Sequence, residues 1–143
     1  MATTTFLGNA SVSISVGATP TVYDLSDNCS KCEVSVGYDY LESTAFGDTG
    51  HQAVQGLQTA TVNLDLFLSY GVGEVETMMA AIQTAGNCTI TVKPSTAAVS
   101  ASVPSYVITK ATLDSNMPIF STVGELAVVS LSFTNGTWVR SIA

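Results

Sequence analysis

Two long segments in which apolar and polar residues alternate constrain the fold of this chain more than any other feature. They are KCEVSVGYDY and, further along, TATVNLDLFLSY. A period of two is typical of strands that bury one face, so we expect two strands that lie next to each other in a sheet. The inward side chains are Cys32, Val34, Val36, Tyr38 and Tyr40 on the first strand, and Val62, Leu64, Leu66 and Leu68 on the second.

Most of the remaining chain shows shorter segments of the same kind. They are ASVSISV, TVYDL, CTITVK, SYVITKATLD, ELAVVSLSF and TWVRSI, and Asn135-Gly136 between the last two predicts a tight hairpin. One amphipathic helix is predicted over about residues 73–85, because apolar residues recur there at helical spacing and Gly86 suits its end. The sequence therefore predicts a mainly β fold, a β-sandwich or barrel with one flanking α-helix. Its 143 residues predict a single domain spanning residues 1–143.

The chain carries few charges, and most of them are acidic. Charged residues make up 10% of the sequence, and 11 Asp and Glu against 4 Lys and Arg give a net charge of −7. This balance argues against a protein that grips nucleic acid or an anionic membrane surface, because both tasks need clustered Lys and Arg. The polar surface must come mainly from Ser, Thr, Asn and Gln. These side chains suit contact with other subunits, because they lose water more cheaply than charges do.

The chain shows no sign of a membrane or secretory segment. Every apolar run is shorter than the roughly 18–20 residues of a membrane span, and the first residues lack the basic and apolar regions of a signal peptide. We therefore expect a protein made in the cytoplasm, with Cys29, Cys32 and Cys88 as free thiols.

The sequence contains no convincing catalytic or metal-binding constellation. Cys29, Cys32, His51 and Cys88 are nominally four zinc ligands, but only the first two form a tight pair, whereas structural zinc sites usually show two. No serine lies in a G-x-S-x-G elbow, and no glycine-rich loop has the pattern that cradles phosphate. We expect no enzymatic activity, no cofactor and no metal.

The two alternating strands are joined by LESTAFGDTGHQAVQGLQ, a polar and glycine-rich segment that holds the only histidine. We expect an extended loop over about residues 42–57. A long connection without secondary structure is uncommon in a compact domain and is usually functional or mobile. Because the loop belongs to no catalytic constellation, we interpret it as an assembly loop that contacts another chain, with Phe46 as its buried anchor. Gly47, Gly50 and Gly56 are its expected bending points, and His51 is an ordinary polar contact.

Several motifs, in the same order along the chain, resemble small tail tube (major tail) proteins of long-tailed bacteriophages. That family shows a Thr-Ala-Phe/Met-Gly-Asp element, a short polar stretch, a Gly-Leu pair and then an amphipathic strand. Weaker matches are YDLSDN, the segment from Lys93-Pro94 to Pro104 and Tyr106, and VGEL at residues 123–126. The first element and the pair match Thr44, Ala45, Phe46, Gly47 and Asp48, then Gly56 and Leu57.

The resemblance implies a structural virion protein that assembles into stacked, usually hexameric rings. The rings form the hollow tail tube through which phage DNA is ejected, and other tail proteins (tape measure, terminator, distal tail) would be its partners. The loop residues above, together with His51 and Gln52, would contact the neighbouring subunit or ring. Glu33, Asp39 and Asp65, on outward strand faces that we expect to lack Lys and Arg, are candidates to line the lumen, because a conduit should repel DNA.

Two alternatives remain open from the sequence. One is another small tail or virion component with a similar sandwich, such as a tail terminator, a baseplate or spike adaptor, or a decoration protein. The other is an enzyme or metal-binding module built on the cysteines and His51, or on the acidic residues of the sheet.

Overall fold

A computed structural model describes residues 10–17 and 21–143 and confirms a mainly β fold with one flanking helix. Gly17 and Pro20 also predict a turn at residues 17–20, and most of that segment lies outside the described residues. The elements are β1 (Ser11–Val16), β2 (Thr21–Asp24), β3 (Cys29–Glu42), β4 (Ala53–Phe67), α1 (Val75–Ala85), β5 (Cys88–Lys93), β6 (Ser105–Leu113), β7 (Val128–Thr134) and β8 (Thr137–Ser141).

The described strands form an antiparallel sheet in the order β2-β1-β5-β6-β7-β4-β3, with β8 paired to β6. The buried residues of β1, β4, β5, β6, β7 and α1 belong to one hydrophobic cluster. The two halves of the sheet therefore pack face to face around a common core, as expected for a sandwich.

The alternation predicts the two long strands and their pairing correctly, but the inward placement of Tyr40 is wrong. β3 and β4 are antiparallel neighbours, with Val34 opposite Val62. Val62, Leu64 and Leu66 are fully buried, whereas Tyr40 is exposed because β3 has by then left the core. The helix begins at Val75, and Gly86 ends it with a left-handed φ of 90° while donating its N–H to Ile82 O at 2.7 Å.

The prediction of a hairpin at Asn135-Gly136 is wrong. β7 pairs with the end of β6 at Thr112 and Leu113, and β8 then continues along β6 from Thr109 to Ser105, so β7 and β8 do not pair with each other. Asn135 (φ 67°) and Gly136 (φ 100°) supply the two left-handed residues of a kink instead of a turn. Two successive residues with a positive φ often close a two-residue hairpin. Here they bend the chain between β7 and β8, where it passes from one half of the sheet to the other.

The expected loop is also shorter than predicted. β3 continues to Glu42 and β4 starts at Ala53, so only residues 43–52 lie outside the strands. Residues 53–57 were assigned to the loop because they are polar, glycine-containing and without a buried face. In the structure their backbone groups pair with β3, as at Leu41 opposite Val54.

A projecting hairpin arm as candidate assembly site

The distal part of the β3–β4 hairpin projects from the sandwich, and we call residues 39–57 the hairpin arm. Every residue from Asp39 to Gln55 is exposed, whereas β4 has buried residues from Ala60 onward. The arm thus continues the β3–β4 ladder beyond the hydrophobic core. Its backbone hydrogen bonds hold it together, because none of its side chains is buried.

A β-bulge marks the base of the arm. Tyr38 pairs with Gln58 and Tyr40 pairs with Gln55, so that Gly56 and Leu57 face the single residue Asp39. A Cβ atom at Gly56 would lie 3.3 Å from Asp39 O, a close approach that glycine accommodates best. Such a bulge increases the local twist and redirects the strands beyond it.

β8 anchors the base of the arm through a residue that the sequence analysis missed. Trp138 Nε1 donates to Gly37 O at 3.0 Å, and Gln58 Nε2 donates to Trp138 O at 3.1 Å. The Trp138 and Tyr38 rings meet edge to face, with centroids 5.5 Å apart. One sequence signal was available: Gln58 is a polar residue at an inward position of an alternating strand, which predicts a specific hydrogen-bonding partner.

The tip of the arm is an ordered turn that presents Phe46. Asp48 N–H donates to Ala45 O at 3.1 Å, and Ala45 N–H donates to Asp48 Oδ2 at 2.7 Å. Gly47, the third residue of the turn, has a φ of 98°, which a type II turn requires. Phe46, the second residue, is fully exposed. Four residues of the Thr-Ala-Phe-Gly-Asp motif therefore build one turn whose apolar side chain points away from the domain.

Thr44 closes the loop behind this turn. Its hydroxyl accepts the Gln52 N–H at 2.8 Å and donates to Glu42 Oε1, and Ser43 N–H donates to Gln52 O at 2.9 Å. His51 Nδ1 lies 3.3 Å from the same Glu42 oxygen. The Thr44 hydroxyl, followed by His51, holds the pKa of Glu42 below its ordinary value. His51 thus has a polar contact within the loop.

The arm combines this order with exposed apolar surface. Five large apolar side chains lie on it in the open: Tyr40, Leu41, Phe46, Val54 and Leu57. Leu41 and Val54 lie opposite each other on the two strands, and exposed apolar surface concentrated on one projecting element is typical of a binding site for another macromolecule.

The outward faces of β3 and β4 carry the three acidic residues that the sequence analysis singled out. Glu33 lies opposite Asn63, and Asp39 lies further along the same strand at the bulge. Asp65 accepts a hydrogen bond from the Ser130 hydroxyl at 2.7 Å. The expectation that this face lacks basic residues is wrong, because Lys31 lies on it, opposite Asp65. The Lys31 ammonium lies 3.9 Å from the Glu33 carboxylate, so the face is polar and only partly acidic.

The cysteines and His51 do not form a site. Cys29 and Cys32 lie at the start of β3, His51 lies at the far end of the hairpin, and Cys88 is buried at the start of β5. Burial raises the pKa of Cys32 to about 11 and that of Cys88 to about 12, which keeps both thiols protonated and unreactive at neutral pH. Within residues 10–17 and 21–143, no three His, Cys, Asp or Glu side chains are placed to hold a metal ion. No helix in this part of the chain is long and apolar enough to cross a membrane.

Comparison with known proteins finds similarity in structure but not in sequence. No protein-family model and no curated protein matches the chain. Its fold is similar to a chain of an extracellular contractile injection system, from the sheath/tube terminator in the extended state (TM-score 0.64, 15% identity, 98% of each chain covered). It is also similar to a chain of the anti-feeding prophage baseplate (TM-score 0.63, 8% identity, 99% of this chain and 97% of that one). A chain of a native gene transfer agent virion shares the fold less closely (TM-score 0.54, 10% identity, coverage 91% and 95%). At these identities the likeness shows that the chain has the fold of these particle components.

Proposed function

We propose that this chain is a structural component of a phage-tail-like particle and that its copies join through the hairpin arm. The observation that carries the proposal is the arm itself, which is ordered by its own hydrogen bonds yet exposes five large apolar side chains. A preordered apolar projection is suited to insertion into another subunit, because little conformational entropy remains to be lost on binding.

The similarity in fold supports the proposal that the chain is a component of a phage-tail-like particle. The similar structures come from contractile injection systems and a gene transfer agent, and each match covers nine-tenths or more of both chains. The chain therefore has the architecture of a whole subunit in those particles. A virion location and association with other tail proteins, such as tape measure, terminator and distal tail proteins, follow as part of the proposal.

Free strand edges support assembly into closed rings. Among the described strands, β3 pairs with β4 alone, and residues 128–131 of β7 also pair only with β4. The β7-β4-β3 part of the sheet thus has an open edge on each side. Pairing of one edge with the opposite edge of the next copy is a head-to-tail contact, which yields a ring when the rotation closes.

In the finer version of this proposal the rings are hexameric and stack into a tail tube. The polar face with Glu33, Asp39 and Asp65 then lines the lumen, and each acidic residue is repeated around the ring. DNA would pass such a surface without binding, because a net negative wall repels phosphates. The Lys31–Glu33 pair reduces that repulsion at one end of the face.

A second candidate is a terminator or baseplate adaptor, which forms one ring and does not polymerise. The chains from the terminator and baseplate structures favour it, because they match this chain more closely and over more of its length than the gene transfer agent chain does. Both candidates use the same arm and differ only in whether rings stack.

Negative-stain electron microscopy of the purified protein separates these candidates. Long tubes with an axial channel would support a tube subunit, and single closed rings would support a terminator or adaptor. A Phe46→Asp variant serves as the matched control, since it should remain folded and lose either assembly. A wild-type protein that stays monomeric at high concentration would contradict the proposed function.

A further inference from the structure

The base of the hairpin arm borders an open groove, and we call it the Lys110 groove. It measures about 520 Å³ and lies where the arm, β6 and β8 meet. Clefts of roughly 300–1,000 Å³ accept small organic ligands, so the groove has room for one aromatic ring. Its lining residues are Gly56, Leu57, Gln58, Lys110, Gly136 and Thr137.

Lys110 gives the groove a positive charge that nothing nearby neutralises. Among the described residues no carboxylate lies within 4.0 Å of its ammonium group, although the chain carries 11 acidic side chains. Its backbone has a φ of 60°, a conformation in which lysine is uncommon. Leu57, which is 80% exposed, adds an apolar surface beside it.

The tip of the arm has the complementary chemistry. Phe46 supplies one exposed aromatic ring, and Glu42 and Asp48 supply two carboxylates in the same loop. The turn uses Oε1 of Glu42 and Oδ2 of Asp48, which leaves the second oxygen of each carboxylate for another partner. An apolar anchor with flanking acids thus matches a groove that offers one apolar side chain, Leu57, beside the Lys110 cation.

The tip cannot reach the groove of its own chain. On β4 the residues from Ala53 to Leu57 separate the tip loop from the groove, a distance of roughly 13 Å for an extended strand, and the tip loop lies beyond them. The ladder between β3 and β4 prevents the arm from folding back. Any contact between tip and groove therefore joins two copies, and it is heterologous because different surfaces meet.

A second exposed apolar region lies around Tyr70, Val72 and Ile119. Its charges argue against it as the surface that receives the arm tip. Tyr70 Oη donates to Pro118 O and so connects the two loops of this region. Glu74 lies directly beside it, with its side chain near Gly71. An acidic tip would meet a like charge there.

We propose that the Lys110 groove receives the arm tip of a second copy, with the Phe46 ring against Leu57 and the tip carboxylates at Lys110. This inference rests on the proposed function, since it identifies the partner surface of the same arm. It gives each copy one donor surface and one acceptor surface, which is the arrangement that a ring or tube needs.

Directional cross-linking tests the contact. A Thr49→Cys copy and a Thr137→Cys copy, both also carrying Cys29→Ser and Cys32→Ala, are mixed and treated with a short bis-maleimide, so that Phe46 and Leu57 stay in place. We expect cross-linked dimers mainly in the mixture and few in either variant alone. A Val22→Cys copy, changed at an exposed apolar residue of β2, is the matched control partner and should not cross-link. Equal yields with the control would overturn the proposal.

A Lys110→Gly variant tests the charge without a risk to folding, because glycine adopts a positive φ more readily than lysine. We expect unfolding stability equal to or above the wild type, with self-association weakened by up to about fivefold at low salt and little difference at about 1 M salt. Lys93→Gln, which removes a cation on β5, is the charge-matched control. If wild-type particles form but neither Lys110→Gly nor the cross-link distinguishes the groove, the inference fails while the proposed function stands. If the wild type never assembles, the proposed function itself fails.

Discussion

Replacing Phe46 with alanine removes the apolar anchor of the arm and leaves its fold intact. The ring is fully exposed in the single chain and lies at the second position of a turn that alanine also tolerates. The backbone bonds of the turn involve Ala45 and Asp48 and do not depend on the Phe46 side chain. We therefore expect the free energy of unfolding to change by less than about 0.5 kcal/mol.

Self-association should change far more. Complete burial of a phenylalanine removes roughly 200 Å² from water, which at about 25 cal/mol per Å² sets a ceiling near 5 kcal/mol. Incomplete burial and the ordering of side chains reduce this value, and about 2–3 kcal/mol is typical of an aromatic anchor. Since about 1.4 kcal/mol is tenfold in affinity, Phe46→Ala should raise the dissociation constant roughly 30- to 150-fold.

Sedimentation velocity over a concentration series measures this change, and urea unfolding of the same samples reports stability. Val22→Ala is the control, because Val22 is also a large exposed apolar residue but lies on β2. It should assemble like the wild type. An unchanged dissociation constant for Phe46→Ala, with folding intact, would refute the reasoning that the arm is the assembly site.

Three further changes test the physical basis of the fold and the arm. Gly136→Ala should destabilise the domain by about 2–5 kcal/mol in urea unfolding, because its Cβ would lie 2.4 Å from Thr109 O at a φ of 100°; a loss under about 1 kcal/mol would contradict the kink. Glu42, whose pKa is lowered by the Thr44 hydroxyl, favours the ordered tip above its ordinary pKa of 4.5, and this contribution is lost as the pH falls through the lower folded-state value. A pH titration of the Thr44 amide by NMR should thus give a midpoint below 4.5, and a midpoint at or above it would be evidence against the contact. Ser69→Ala should lower stability by about 1 kcal/mol, since the hydroxyl donates to Glu74 Oε2 at 2.6 Å and accepts from Asn28 Nδ2 at 3.0 Å, and an unchanged unfolding midpoint would show that these hydrogen bonds contribute nothing.

The core could be predicted from the sequence because its signals are local. The alternation around Val62 and Leu64 identified the buried face of β4, since a strand with one face in the core must repeat every two residues. The helix was located for the same reason, with Met78 and Met79 fully buried at the expected spacing. Both patterns record burial directly, so neither needed knowledge of distant residues.

The arm could not be delimited in this way, because it buries nothing. Val54 and Leu57 lie in a paired strand, but both faces of that strand are in solvent. Because neither face is buried, the sequence there does not need to alternate between apolar and polar residues. The contact that anchors the arm joins Trp138 to Gly37, which are 101 positions apart. No local pattern connects such residues, although the polar Gln58 at an inward position was an available indication.

The kink at Asn135-Gly136 shows why a local sequence pattern can predict backbone conformation correctly and strand pairing wrongly. Asn135-Gly136 was expected to form a hairpin because both residues adopt a positive φ, and in the structure both do. What the dipeptide cannot specify is the partner of the strand that follows, and here β8 stays with β6. The kink also fixes Gly136 against the backbone of Thr109, beside Lys110, and so shapes the groove at the base of the arm.

The backbone conformations of Gly47 and Gly50 indicate whether the tip of the arm is a flexible segment or a defined turn. If the tip were a disordered segment that folds on binding, Gly47 and Gly50 would be interchangeable sources of flexibility. Instead Gly47 has the positive φ that the turn requires, whereas Gly50 is absent from the residues with positive φ and has open space around it. Gly47 is therefore needed for a defined turn, which the single chain already forms in the structure. Under the proposed function, an arm built in this way would give up little conformational entropy on assembly, which would let a short turn with one aromatic ring anchor a subunit contact.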